Sequence, residues 1–180
     1  MGENKKFQRI GRRMVGKGHV YQLYEDELIL PDKRKVYYDH VEHMGAAAVL
    51  PVLEDGRVIL VSQYRNSIER MTLEIPAGGL SYIGEPTDKA ALRELEEETG
   101  YRGDKAELLL KFCSAPAFCN EKIDIYLVRH LRKVEQKLDE DEFIDVVIET
   151  VENLIKKIYM GEIEDSKTMA ALFAYAYKFC

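Results

Sequence analysis

The sequence predicts an α/β fold, a sandwich of helices on the faces of a mixed sheet, preceded by a small N-terminal β-meander. Three observations carry that prediction. Strand-like segments of alternating apolar and polar residues are interleaved with helical segments instead of being segregated into blocks. One helical pattern with recognisable start and stop signals stands mid-chain, and two more close the sequence. The chain of 180 residues, 46% hydrophobic, is long enough to bury a substantial core.

Residues 1–18 carry Lys5, Lys6, Arg9, Arg12, Arg13 and Lys17 and read as a basic, solvated arm with no assigned function. His19 to Leu30 alternates, Pro31-Asp32-Lys33 makes a turn, and Lys35 to Glu42 extends again, so residues 19–44 form the small β region. Ala46 to Leu53 and Val58 to Gln63 flank the turn Glu54-Asp55-Gly56-Arg57 and read as a hairpin with one buried face. Leu73 to Ile75 is a short strand. A helix follows from about Pro86 to Thr99: proline suits a first turn, Ala90, Ala91, Leu92 and Leu95 favour continuation, and Gly100 can end it in the left-handed conformation. Ala106 to Cys113, Lys122 to Leu131 and Asp145 to Glu149 are strands. Val151 to Met160 and Ser166 to Phe179 are helices, the second with Ser166 as its expected N-cap. Residues 45–180 form the main domain in this reading.

Composition excludes several classes. A net charge of −6 does not suggest a nucleic-acid surface. No apolar run approaches the length of a membrane span, and the basic start lacks the apolar stretch of a secretory leader, so a cytoplasmic protein without membrane contact is expected. Cys113, Cys119 and Cys180 are an odd count without metal-ligand spacing and read as reduced thiols.

The mid-chain helix carries the chemistry. Glu94 and Glu98 are four residues apart and Glu97 is three from Glu94, which places these carboxylates on one face. Like charges at that spacing repel, and Glu94, Glu96, Glu97 and Glu98 also oppose the helix dipole near its C-terminal end. Positive charge must compensate. Arg93 supplies one unit, and hard divalent cations with oxygen ligands, magnesium above all, suit the remainder.

From Gly79 the chain reads glycine, five residues, Glu85, seven residues, then Arg93-Glu94-Leu95-Glu96-Glu97-Glu98-Thr99-Gly100-Tyr101. This pattern resembles the box of the Nudix hydrolase family, with only Tyr101 stretching the last position. Leu73-Glu74-Ile75-Pro76-Ala77-Gly78, Gln63-Tyr64-Arg65, Ser114-Ala115-Pro116 and Gly161 to Thr168 extend the likeness to the ADP-ribose pyrophosphatase branch, over roughly residues 19 to 178. Pro116, well past the box, is the marker that points to ADP-ribose. One departure concerns the loop: Pro76-Ala77-Gly78 is followed by a further glycine, Gly79, at which the strict count begins. The family uses the carbonyl before the first glycine as a metal ligand, which leaves Ala77 or Gly78, with Ala77 favoured because the strand anchors the alignment.

The resemblance implies a Nudix-fold α/β/α sandwich that hydrolyses the diphosphate of ADP-ribose to AMP and ribose 5-phosphate. Its cofactor would be magnesium, with manganese as an alternative. It implies Glu94 and Glu98 as metal ligands with Glu97 assisting and Arg93 orienting the carboxylates. In the acidic loop Leu138 to Phe143, Glu140 is expected to be the general base and Glu142 a further metal ligand. Glu85 is open between metal contact and stabilisation of the helix start. Arg65 is expected to grip a phosphate and Glu74 to hydrogen-bond the substrate. Tyr37, with Tyr38, Tyr21 and Tyr24, is a candidate for stacking on adenine, and Pro116 joins the substrate-binding set. A homodimer is implied in which the N-terminal sheets are exchanged to complete the substrate pockets. The alternatives are hydrolysis of another nucleoside diphosphate sugar such as GDP-mannose, or a non-catalytic sensor of ADP-ribose, against which the intact acidic set argues.

Overall fold

The computed structural model of the chain describes residues 6–179, so the expectations for Lys5 and Cys180 fall outside the described residues. The chain forms two compact units, one made of residues up to Gly45 with Cys113–Glu121, the other of Ala46–Phe112 with the residues from Lys122 onward.

The first unit is a three-stranded antiparallel meander of β1 (Gln8–Lys17), β2 (Gln22–Ile29) and β3 (Lys35–Glu42). Strand β1 replaces most of the expected solvated arm. Its basic residues meet acidic partners across the ladder: Arg12 donates to Asp26 through Nε at 2.5 Å and Nη2 at 2.7 Å, and Arg13 pairs with Glu25 at 3.0 Å. Opposite charges on facing strands stabilise a sheet, and here they take the place of the apolar alternation by which a strand is usually read. Two register shifts, at Arg9/Gly11 and Met14/Gly16, further interrupt the period. Segment Cys113–Glu121 joins this unit through hydrogen bonds from Val41 N–H to the Phe118 carbonyl and from Asn120 N–H to the Val41 carbonyl.

The second unit contains β4 (Ala46–Pro51), β5 (Val58–Arg65), β6 (Arg70–Glu74), β7 (Ala77–Gly79), α1 (Thr87–Thr99), β8 (Tyr101–Arg102), β9 (Ala106–Cys113) except for Cys113, β10 (Lys122–Val128), β11 (Arg132–Lys133), β12 (Asp145–Glu149), α2 (Val151–Tyr159) and α3 (Ser166–Phe179). A four-stranded sheet has the order β7-β4-β10-β9, a three-stranded sheet the order β12-β5-β6, and β11 pairs with β8. The expected β4–β5 hairpin is not formed as a ladder. Strand β4 pairs in parallel with β10 and antiparallel with β7, whereas β5 pairs with β12 and β6. Only a bridge between Val52 and Val58 and the Leu53–Arg57 turn bond remain of the hairpin.

Strand β4 explains why. It is buried on both faces, with Ala48 and Leu50 entering one core and Ala47 and Val49 the other. A strand covered on both sides belongs in the middle of a sheet, where a non-local parallel partner is available. Helix α1 covers one face with Ala90, Ala91 and Leu95 against Ala47, Val49, Tyr126 and Val128. The other face packs on α2, α3 and β5 through Leu154, Ala171, Leu172 and Leu60. The result is an α/β/α arrangement whose α1 is fixed by its apolar side while its carboxylates face away from that core. No helix among the described residues is long and apolar enough to cross a membrane.

Candidate active site

Helix α1 begins one residue later than expected, with Pro86 at the N-cap position and no side-chain cap. Its first turn is tied down from the sheet instead. Thr87 Oγ1 donates to Asp124 Oδ2 at 2.8 Å and lies 2.6 Å from the Tyr126 hydroxyl, both on β10, while Lys111 Nζ reaches the same Asp124 oxygen at 2.6 Å. At the other end Gly100 adopts φ 67°, as the sequence predicts, and its N–H closes the helix on the Glu96 carbonyl.

The carbonyls of the last turn, unsatisfied within any helix, are met by the segment leading to the acidic loop. Gln136 Nε2 donates to the Glu98 carbonyl at 2.6 Å, Lys137 N–H to the Glu97 carbonyl at 3.0 Å, and Val134 N–H to the Gly100 carbonyl at 2.8 Å. These bonds supply positive poles where the acidic helix end needs them, and they deliver Asp139 and Glu142 to the α1 carboxylates. Glu142 then closes its own turn by accepting from Asp139 N–H at 3.1 Å.

A cavity of about 260 Å³ lies where these parts meet, lined among others by Ala77, Gly78, Glu94, Glu97, Glu98 and Glu142. Arg93 Nη1 sits 2.7 Å from Glu94 Oε1 and 2.9 Å from Glu97 Oε2, bridging the two carboxylates. Glu85 accepts from Ser81 N–H at 2.6 Å and stands 3.8 Å from Arg93 Nε, so it closes the loop ahead of α1 and faces Arg93. Glu140 is exposed and does not line the cavity. Lys137, which sequence reasoning did not single out, does.

The two expected metal-ligating glutamates of α1 are buried, Glu94 at 7% and Glu98 at 3% exposure. Burial pushes Glu94 up to about 7, with Glu97 and Glu142 adding to the effect and Arg93 opposing it. Burial likewise pushes Glu98 up to about 8, reinforced by Glu94 and Glu142 and opposed by the Ala77 N–H. Among the described residues no three such side chains converge at metal-ligand spacing. Each is turned to a protein donor, Glu94 to Arg93, Glu98 to Ala77 N–H at 3.1 Å, and Glu142 to Asp139 N–H. The set nonetheless fits a hard divalent cation: three mutually repelling carboxylates around one cavity are under-compensated by the cations beside them.

The backbone at the cavity wall is equally specific. A Cβ at Gly78 would stand 2.2 Å from Glu94 Oε1, so only glycine lets the carboxylate lie against the loop. Ala77 sends its N–H to Glu98, away from its ladder partner Ala48, while the neighbouring Pro76 carbonyl accepts from Val49 N–H. In an antiparallel ladder the N–H and C=O of one residue point to the same side. The Ala77 carbonyl therefore faces the open edge shared with Glu98, and that of Gly78 faces β4.

Arg65 and Glu74 form a second constellation. The Arg65 fork donates to Glu74 through Nε at 2.8 Å and Nη2 at 2.7 Å. Thr72 Oγ1 donates to the same carboxylate at 2.6 Å, and Lys167 Nζ pairs with it from α3. Burial alone pushes the Glu74 carboxyl up, but Arg65, Lys167 and Thr72 outweigh it and hold it at about 2. Lys167 is absent from the sequence-derived site; the signal was the matched segment Gly161 to Thr168, to which no role had been attached. Ser166 is the first residue of α3 and not its cap: Asp165 takes that role, accepting from Thr168 N–H at 2.9 Å.

Tyr37 and Pro116 belong to the first unit. Tyr37 is exposed on β3 with its hydroxyl 3.4 Å from Glu27 and Lys35 over its ring at 5.8 Å. Pro116 lies in an exposed turn closed by bonds from Phe118 and Cys119 N–H to the Ala115 carbonyl. Of the other tyrosines, Tyr24 lies under Arg12 at 4.9 Å and Tyr38 meets Phe7 edge-on.

The profile of the NUDIX domain family matches residues 42–172. The ADP-ribose pyrophosphatase of Bacillus subtilis (strain 168) is 39% identical over 165 residues, spanning 91% of this chain and 89% of the relative. The methanol dehydrogenase activator of Bacillus methanolicus is 37% identical over 174 residues, spanning 96% and 94%. The crystal structure of an ADP compounds hydrolase shares the fold with a TM-score of 0.86 at 21% identity, over 98% of this chain and 96% of that one.

Proposed function

The chain belongs to the NUDIX family of hydrolases, and from that premise we propose that it hydrolyses the diphosphate of ADP-ribose, giving AMP and ribose 5-phosphate. The observation that carries the proposal is the cavity in which the carboxylates of Glu94, Glu98 and Glu142 meet the open edge of β7. A relative spanning most of the chain, named ADP-ribose pyrophosphatase, supports the substrate.

Glu94, Glu98, Glu142 and the Ala77 carbonyl would hold the metal, magnesium or in its place manganese. When bound, such an ion neutralises phosphate charge and lowers the pKa of a bound water. The residues of the chain divide the remaining work. Arg93 fixes Glu94 and Glu97 relative to each other, and the Ala77 N–H aims Glu98. Arg65 presents its guanidinium, 39% exposed at the side chain, to a phosphate. Glu74 works through Arg65 and not on the substrate directly, because its two oxygens already accept from Arg65 Nε and Nη2, Thr72 and Lys167. Proton acceptance from the attacking water is assigned to the acidic loop. Glu140 is the base expected from the resemblance, and Glu142 is the glutamate of that loop that lines the cavity. Tyr37 and Pro116 are assigned to substrate binding on the same resemblance, their exposure leaving both free to meet a ligand.

We further place the protein in the cytoplasm, as the free thiols of Cys113 and Cys119 suit, and assign it a homodimer built on the N-terminal sheet. Ile10, Met14, Val15 and Tyr38 of that sheet, and Phe7 just before it, are exposed, and exposed apolar side chains of this kind suit pairing with a second copy. Initial rates with ADP-ribose, ADP-glucose, GDP-mannose and NADH, with magnesium and with a chelator, test the assignment. Preference for GDP-mannose would transfer the reading to another nucleoside diphosphate sugar, and tight binding of ADP-ribose without products would transfer it to a sensor.

A further inference from the structure

Lys167 is a buried ammonium for which diphosphate hydrolysis as described so far has no use. It is 8% exposed, and its Nζ donates to Glu74 and, at 3.0 Å, to Asp165 Oδ1. Asp165 is itself held by the Thr168 N–H at 2.9 Å and by the Thr168 hydroxyl, which in turn accepts from Ile75 N–H at 2.8 Å. The start of α3 is thereby locked to Ile75, the residue between Glu74 and Pro76, just ahead of β7.

The charges explain why a second cation is placed there. A bidentate carboxylate close to a guanidinium neutralises much of its charge, which would leave Arg65 with little attraction for an anionic substrate. With Lys167 on the same carboxylate, the single negative charge of Glu74 is shared between two cations. Arg65, Lys167, Glu74 and Asp165 together are neutral. Without Lys167 the group would carry a net negative charge beside the position that must receive a diphosphate. A stabilising ion pair alone would require only Asp165, which already contacts Lys167.

We propose that Lys167 is a positioning residue for the diphosphate: through Glu74 it fixes the Arg65 fork and preserves the positive charge that Arg65 offers to phosphate. The inference rests on the reading of Arg65 as a phosphate ligand in ADP-ribose hydrolysis. It predicts an effect on substrate affinity, whereas a purely structural lysine would change melting temperature and the fraction of active molecules at constant KM.

The test is steady-state kinetics with ADP-ribose, together with binding of its non-hydrolysable α,β-methylene analogue, for the wild type, Arg65→Ala, Lys167→Met, Thr72→Val and the Arg65→Ala/Lys167→Met double variant. Lys167→Met is expected to raise KM and the analogue Kd about tenfold, the scale of one charge-assisted hydrogen bond, with the larger share of the loss in KM and not in kcat. Thr72→Val, which removes a single donor to Glu74, shifts KM in the same direction by less. In the Arg65→Ala background, Lys167→Met adds no further KM defect, because both act through one contact. An unchanged KM in Lys167→Met overturns the proposal, as does an unchanged KM in Thr72→Val if Lys167→Met does not fold, or additive effects in the double variant. Wild-type turnover with an Arg65→Ala defect alone would remove only the role of Lys167. No wild-type turnover, or no Arg65→Ala defect, would remove both this role and the reading beneath it.

Discussion

Glu94 and Glu98 hold ionisable groups where burial opposes ionisation, and that opposition has a measurable sign. Their folded-state values, about 7 and about 8, lie above the ordinary carboxylate range, so the folded protein binds more protons than the unfolded chain between roughly pH 4.5 and 8. Without metal, stability is therefore expected to fall by a few kcal/mol as pH rises through that window. Magnesium, binding the ionised forms, should remove most of the fall. Melting temperatures from pH 5 to pH 8, with and without magnesium, check this; a flat metal-free profile would mean the carboxylates are compensated by the protein alone. A second expectation separates the two loop glutamates. Glu142→Gln should lower kcat by about 100-fold, and Glu140→Gln by less, because of these two glutamates only Glu142 lines the cavity; a larger loss in Glu140→Gln would assign proton acceptance to Glu140. The sequence placed Glu94, Glu97 and Glu98 on one helix face through their spacing, and all three line the cavity together with Arg93. It could not reveal that Glu74 is saturated by Arg65, Thr72 and Lys167, since those contacts join residues far apart in the chain.

Among the elements, α1 was legible because its signals are local: periodic apolar residues, a proline at its start and Gly100 at its end. Gly100 carries the most direct prediction. At φ 67° a side chain is strained, and an added Cβ would stand 3.1 Å from Gln136 N and the Val134 carbonyl. Gly100→Ala is expected to cost about 1–3 kcal/mol and to weaken activity by displacing the segment that carries Glu142. Thermal unfolding and kcat together check it; an unchanged melting temperature would contradict the geometry. The other elements show where local signals end. Strand β1 was hidden by basic residues whose partners, Asp26 and Glu25, lie on β2. The β4–β5 hairpin was suggested by a good turn, Glu54-Asp55-Gly56-Arg57, but β4 is apolar on both faces, and the parallel pairing with β10 that this favours prevailed. Strand β7, of three residues, is too short to show a period.

For the whole molecule, the α/β/α class followed from the interleaving of strands and helices, and the family from a pattern of fixed positions along one loop and helix. The division into two compact units was legible only in part: residues 1–44 were set apart, whereas the first unit runs to Gly45, and the membership of Cys113–Glu121 depends on bonds to Val41 that no local pattern encodes. The exposed apolar residues of the first unit predict self-association. Light scattering on the eluting peak is expected to give twice the chain mass, and Tyr38→Glu with Met14→Glu should shift it toward the monomer; a monomeric wild type would contradict the dimer. In the proposed function the carboxylates gathered by α1 and the acidic loop would hydrolyse a nucleoside diphosphate sugar with a divalent ion. The most direct test is AMP release from ADP-ribose by the purified protein with magnesium, with a chelator, and with Glu98→Gln. Turnover is expected that is abolished by the chelator and largely lost in Glu98→Gln at an unchanged fold; no AMP at high enzyme concentration, or full activity in Glu98→Gln, would rule out this role for the carboxylates.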